Sequence, residues 1–270
     1  MYEHHIQVHS LPKEVDEAAL AGCTTIVIDV LRASTTICQA LASGAREVVP
    51  FPEVDDALAA VAAADRSEIV LAGERHGRRI DGFDLGNSPS EFTPPAVAGR
   101  RVFITTTNGT QALYRARLAR QVLIGAFVNL SALAWSISKK QKVDVLCAGT
   151  DGRPTREDIL AAGALVDWLD KPSGIRWEMN SAAKIAHQEW QAVVAKSQSK
   201  CRSISQQLAI DLRRTPGGRN LLAIRMDADL VDCAQVDRLD VVPELDVREW
   251  RITPRCTRKP PRWTQADERR

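Results

Sequence analysis

The sequence predicts an α/β protein, a three-layer α/β/α arrangement around a mostly parallel or mixed sheet. Short β-branched runs alternate with stretches of helical spacing along most of the 270 residues. The segment 24–50 reads strand, helix, strand, and near residue 100 the same design recurs, as either two related βαβ halves or a convergent α/β pattern would give.

The first strand is "TTIVIDVL" (24–31), a β-branched run ending in polar residues. It is followed by "ASTTICQALASGA" (33–45), whose helical spacing stops at Gly44, and by the strand "EVVPF". A helix is predicted over 52–64, and a strand over 68–73. The second unit comprises the strand "VFIT", a hydroxyl-rich turn, the helix "GTQALYRARLA" and the strand "QVLIGAF". A strand over 143–149 and a helix over 156–169 follow. After Lys171 the pattern turns helical, with Asn180 placed to cap "SAAKIAHQEWQAVVAK" and a break at "TPGG". A short helix over 229–235 leads to two strand candidates, "LDVVPEL" and "VREWRI". The expected organisation is one α/β domain over 1–255 and a basic, proline-interrupted, flexible tail over 256–270.

Composition narrows the function. A net charge of +2 and 5% aromatic residues give no general attraction for nucleic acid. The start of the chain lacks an apolar signal segment, and no run is long enough to span a bilayer, so the expectation is a cytoplasmic protein with no membrane partner. His4, His5 and His9 suggest a solvated, mobile terminus rather than a metal site. The six cysteines are scattered without metal-type spacing, as reduced and mostly packed thiols would be. A homo-oligomer stays open.

The chemistry concentrates at two corners. "AST" (33–35) and "NGT" (108–110) each follow a strand and open a helix, where unpaired N–H groups and small residues let an anion approach the backbone. In open α/β sheets that edge is where ligands bind. Asp29 and Arg32 lie at the first corner. The alternative is that Ser34 and Asn108 simply cap helices. Between the corners, "GERHGRRIDGFDLGNSPSE" (73–91) collects Glu74, Asp81, Asp84 and Glu91 beside Arg75, Arg78 and Arg79. Carboxylate oxygens next to phosphate-binding arginines are the ingredients of a Mg²⁺-assisted phosphoryl site, with Asp29 and Asp84 as preferred ligands, the alternative being a surface salt-bridge network. Asp151, Glu157 and Asp158 could join the rim, although acids in a first helical turn also serve the helix dipole. Cys147 and Arg153 have the C-x5-R spacing of cysteine-dependent phosphatases, a spacing that six cysteines readily produce by chance.

Five motifs, "IDVLRASTTI", "GERHGRRIDGFDLGNSPSE", "TTTNGTQAL", "GAFVNLSALA" and "LCAGTDG", resemble the 2-phosphosulfolactate phosphatase family in order and spacing. The resemblance covers about residues 6–252. It implies a Mg²⁺-dependent α/β/α phosphatase of phosphate esters of 2-hydroxy acids, as in coenzyme M biosynthesis. Asp29, Arg32, Ser34, Thr35, Glu74, Asp84, Asn87, Asn108, Gly109 and Thr110 fall on the family's motifs. From their chemistry, Asp29, Asp84 and Glu74 are expected to hold Mg²⁺. Asp29, Arg32, Glu74 and Asn108 are expected to be catalytic. Ser34, Thr35, Arg75, Asn87, Gly109 and Thr110 are expected to bind substrate, with Arg75 meeting its carboxylate or sulfonate. The resemblance also leads one to expect a histidine where this chain has Gly217. The rival functions are a non-catalytic binder of a phosphorylated or carboxylate metabolite and a thiol phosphatase using Cys147.

Overall fold

A computed structural model describes residues 4–170 and 175–255; the expected tail, including Cys256, lies outside the described residues. The strands are β1 (His4–His9), β2 (Thr24–Ile28), β3 (Glu47–Pro50), β4 (Ile69–Arg75), β5 (Arg78–Arg79), β6 (Arg101–Thr105), β7 (Gln121–Gly125), β8 (Lys142–Cys147), β9 (Trp177–Met179), β10 (Pro243–Asp246) and β11 (Arg251–Pro254). The α-helices are α1 (Ala33–Ala42), α2 (Val54–Ala62), α3 (Pro94–Val97), α4 (Gly109–Arg115), α5 (Leu130–Ile137), α6 (Arg156–Leu169), α7 (Ser181–Ser199), α8 (Ile204–Leu212), α9 (Pro216–Ala223) and α10 (Asp227–Cys233).

The strands form one mixed sheet in the order β5-β4-β6-β3-β11-β10-β7-β2-β8-β1-β9. Strands β4, β6 and β3 are mutually parallel, as are β7, β2, β8, β1 and β9. The β10–β11 hairpin joins the two blocks by antiparallel pairing to β7 and β3. Buried apolar side chains line both faces. Ile26, Ile28 and Val145 pack under α5, α6 and α7, where Phe127 stacks on Trp190; Val27 and Ile124 pack under α1 and α4. Helices on both faces explain why every residue of β2 is buried and why it reads as a continuous apolar run.

The two βαβ units are present but interlocked. Strand β2 leads through α1 to β3 in the other block, and β6 leads through α4 back to β7 beside β2. Neither unit sets its own two strands side by side, so the simple βαβ expectation is corrected to an exchange between blocks. The N-terminus is also corrected. His4–His9 is an inner strand between β8 and β9, with Ile6 and Val8 buried, and His9 pairs with Asp144 at 2.9 Å. Helix α6 spans the predicted residues, Asn180 caps α7 by accepting from the Ala183 N–H, and the break at 215–218 falls at the start of α9.

Candidate active site

Strands β2 and β4 stand six places apart in the sheet, about 29 Å if it were flat. Yet residues just past β2 and at the end of β4 line one cavity, so the sheet bends round to bring them together. The cavity measures about 360 Å³. Its polar lining includes Asp29, Arg32, Glu74, Asn87, Thr107 and Asn108, and Leu31, Leu221 and Ile224 line it together with His76, Asn220 and Asp151.

Asp29 leaves β2 with its N–H bonded to Ser34 Oγ at 2.8 Å, and its Oδ1 accepts only a long contact from the Ala33 N–H at 3.4 Å. Burial, followed by the nearby negative charges of Asp158 and Glu74, pushes its carboxyl well above the ordinary range. Glu74 is fixed by two amides, from Thr107 and Gly77, each at 2.8 Å. The Gly77 amide comes from the two-residue turn His76–Gly77, where both residues have positive φ, as a tight hairpin between β4 and β5 requires. Asn87 is buried, and its Oδ1 has no hydrogen-bond partner although the side chain lines the cavity.

Arg32 is buried and lines the cavity. Its Nη1 donates to Asp229 Oδ2 and its Nη2 to the Gly77 carbonyl, both at 2.6 Å. Asn108 makes no capping bond with its side chain; its Oδ1 instead accepts the Asp151 N–H at 3.3 Å, drawing the loop after β8 to the rim. The capping alternative for Ser34 and Asn108 is therefore set aside, since α1 is preceded by Arg32 and neither side chain caps.

Other expected residues play different parts. Ser34 and Thr35 are buried and do not line the cavity; Ser34 Oγ also donates to the Val27 carbonyl, and Thr35 Oγ1 donates to that of Val30. Thr110 is likewise turned to Thr106. These hydroxyls hold the corners in shape. Gly109 packs against Asp29 and Ala33. Arg75 donates to the Glu74 carbonyl and to Thr105 Oγ1 and is absent from the wall, so it is not the cation that meets a second acidic group of a ligand there.

Asp84 is the clearest departure. It is exposed, paired with Arg66 at 2.7 Å, and accepts the Leu71 N–H at 2.7 Å. Leu71 lies three residues before Glu74 on β4, roughly 10 Å along the strand. Among the described residues no three His, Cys, Asp or Glu side chains gather as a metal cluster, so Asp29, Glu74 and Asp84 do not form one.

The residues present still fit a magnesium ion. Mg²⁺ commonly keeps several waters and takes one or two carboxylates besides the phosphate oxygens of its substrate. Asp29 supplies a buried carboxylate crowded by like charge, and Asn87 Oδ1 is an unpartnered oxygen. Each oxygen of Glu74 retains a lone pair beyond its amide bond.

Glu157 and Asp158 sit behind the wall. Asp158 accepts from the Val30, Gly149 and Thr155 donors, tying the ends of β2 and β8 together, and Glu157 Oε1 presses against Gly217. Cys147 is fully buried, is absent from the cavity wall, and its thiol is pushed well above the ordinary value by burial. Arg153 is exposed and also absent from the wall. A thiolate nucleophile aided by that arginine is not built here. Cys23, Cys38 and Cys233 are buried free thiols, whereas Cys201 is exposed. No helix among the described residues is long and apolar enough to cross a membrane.

Asp229, His76, Asn220 and the apolar wall were not among the residues expected from sequence. Asp229 lies 197 positions from Arg32, and no local pattern announces such a pair.

The model of the family described as 2-phosphosulpholactate phosphatase matches residues 9–247. A probable 2-phosphosulfolactate phosphatase of Caldanaerobacter subterraneus subsp. tengcongensis is 35% identical over 241 residues, covering 89% of this chain and 95% of the relative. Similarly named proteins of Synechococcus sp. are 38% identical, covering 86% of this chain and 92% of the relative, and 39% identical, covering 87% and 94%. The breadth of these matches and the meeting of four of the five motifs in one cavity lead to one assignment: the chain belongs to the 2-phosphosulpholactate phosphatase family.

Proposed function

We propose that this chain is a Mg²⁺-dependent phosphatase that hydrolyses a small phosphate monoester of an anionic 2-hydroxy acid, of the 2-phosphosulfolactate kind, to the hydroxy acid and inorganic phosphate. The reaction class follows from the family and from the names of its relatives. The metal requirement rests on one observation about charge. Arg32 is the guanidinium that lines the cavity, and Asp229 already neutralises it, while Glu74 and Asp151 are acids and burial with crowding by like charge already favours the proton on Asp29. A phosphoester bearing a second acidic group needs a further cation to enter such a site.

Asp29, Asn87 Oδ1 and Glu74 would hold the ion. When bound, Mg²⁺ supplies charge neutralisation at the phosphoryl group and lowers the pKa of a water that can attack it. The chain's own groups do the rest. Arg32 turns its remaining N–H groups to the phosphoryl oxygens, where charge redistributes during transfer. Glu74 shapes the Thr107 turn, so that the Thr107–Asn108 rim holds the ester in register. Leu31, Leu221 and Ile224 keep water from the carbon skeleton, and Asn220 and His76 offer hydrogen bonds to its second acidic group.

The test is phosphate release from 2-phosphosulfolactate, phospholactate and related phosphorylated hydroxy acids, in Mg²⁺ and in EDTA. Release that depends on Mg²⁺ is expected. Equal turnover in EDTA overturns the metal role, and ligand-induced thermal stabilisation without release from any ester favours a non-catalytic binder.

A further inference from the structure

We infer that Asp229 is the residue that positions Arg32 for phosphoryl binding, and that it acts through Arg32 alone. The inference rests on the phosphatase reading of the cavity and adds to it a residue from a distant part of the chain. Arg32, Asp229 and Ser88 are all buried, at 3%, 1% and 5% relative exposure. Asp229 Oδ2 accepts Arg32 Nη1 at 2.6 Å, and Asp229 Oδ1 accepts the hydroxyl of Ser88. The Gly77 carbonyl takes Arg32 Nη2 at 2.6 Å. Two acceptors on two different elements thus fix the plane of the guanidinium. Asp229 is held in turn by Ser88 and by its place in the first turn of α10.

The cost of this arrangement shows what it is for. A guanidinium taken out of water needs a compensating charge, and Asp229 supplies it inside the fold rather than leaving it to the ligand. The pair is then close to neutral before substrate arrives, so Arg32 discriminates by the direction of its remaining N–H groups more than by net charge. Such a group is useful only if its plane is fixed in advance, because planar donors match phosphoryl oxygens in a narrow range of orientations. Asp229 does not line the cavity, which separates its part from that of Arg32.

The test combines turnover with chemical rescue in the full-length protein. Wild type, Asp229→Asn, Arg32→Ala and the double variant are compared for Mg²⁺-dependent phosphate release, with and without free guanidinium below denaturing concentration. Circular dichroism and thermal melting establish that each is folded. Asp229→Asn is expected to lower kcat by about 10²-fold, the loss that a misplaced binding group produces. Guanidinium should restore activity to Arg32→Ala and fail to restore it to the double variant, since the free cation has lost its seat. Equal rescue in both, or losses that multiply in the double variant, would overturn the inference.

A second measurement, made on variants shown to be folded, does not need turnover. Calorimetric titration with inorganic phosphate and Mg²⁺ should show weaker binding to Asp229→Asn than to wild type, and equal affinity counts against the positioning role. A wild type that binds phosphate yet hydrolyses none of the esters defeats the proposed function while leaving this comparison decisive for Asp229.

Discussion

Gly109 lies directly against Asp29. A Cβ at position 109 would come within 2.7 Å of Asp29 Oδ2 and 2.5 Å of Ala33 Cβ. The start of α4 is thereby pressed onto the start of α1, and the glycine between them is what allows the two corners to share one cavity. Gly109→Ala should therefore displace the Asp29 carboxylate, and phosphate release should fall by about 10²-fold, as a misplacement near 1 Å does elsewhere. The melting temperature should drop as well, by several degrees, because the added methyl also meets Ala33 Cβ, a buried atom that cannot swing aside. Near-normal kcat in a folded Gly109→Ala protein would show that Asp29 does not need its present position.

Cys147→Ser provides the contrast. The thiol is buried at the end of β8, and burial and the negative charges of Asp158 and Glu14 both keep it protonated. The serine variant should retain turnover within about an order of magnitude of wild type, whatever destabilisation a buried hydroxyl brings. Abolished release in a folded Cys147→Ser protein would restore the thiol mechanism.

Much of this site was legible in sequence, and the part that was not has a physical reason. Asp29, Glu74 and Asn108 were accessible because each lies in a motif at a strand end, where α/β proteins place their ligands, and Asn87 because it lies in the long polar motif that runs on from β4. Asp84 misled because the stretch after Gly73 looks like one polar loop. The chain in fact continues β4 through Arg75 and reverses at His76–Gly77, which returns Asp84 opposite Leu71 instead of at the rim. Ser34 and Thr35 misled differently: a hydroxyl at a helix start serves an anion or its own backbone equally well, and only the partners Val27 and Val30 distinguish the two. The alternation of Ile6 and Val8 with His5, Gln7 and His9 carried the signal of an inner strand, which the histidines obscured. Asp229 had no signal, since its meaning depends wholly on Arg32.

Gly217 gives a test of packing behind the wall. A Cβ there would stand 2.2 Å from Glu157 Oε1, so Glu157 occupies the space that any side chain at 217 would enter. This is the position at which the family resemblance led to the expectation of a histidine. Gly217→Ala should destabilise the fold by about 1–3 kcal/mol, the usual cost of overpacking. Glu157→Ala should remove most of that cost by emptying the space, so the pair should be strongly non-additive in thermal or denaturant melts. Simple additivity would mean that α9 moves away freely and that Glu157 does not set the wall.

The same carboxylate should make stability depend on pH in a direction opposite to that of an ordinary surface acid. Burial, with the negative charge of Asp158 beside it, raises Glu157 from 4.5 to about 7, and burial raises Asp158 from 3.8 to about 6. A carboxyl raised in the folded state binds its proton more tightly there than in the unfolded chain. Its contribution is therefore fully present below the unfolded value, near 4.5, and is lost as pH rises through about 7. For Glu157 the difference amounts to about 3 kcal/mol between these limits. Glu157→Gln keeps the shape and removes the titration. The melting temperature of wild type should thus fall relative to that of Glu157→Gln between pH 5 and pH 8, by several degrees for a chain of this size. Parallel melting curves across that interval would mean that Glu157 is ionised in the fold at no cost.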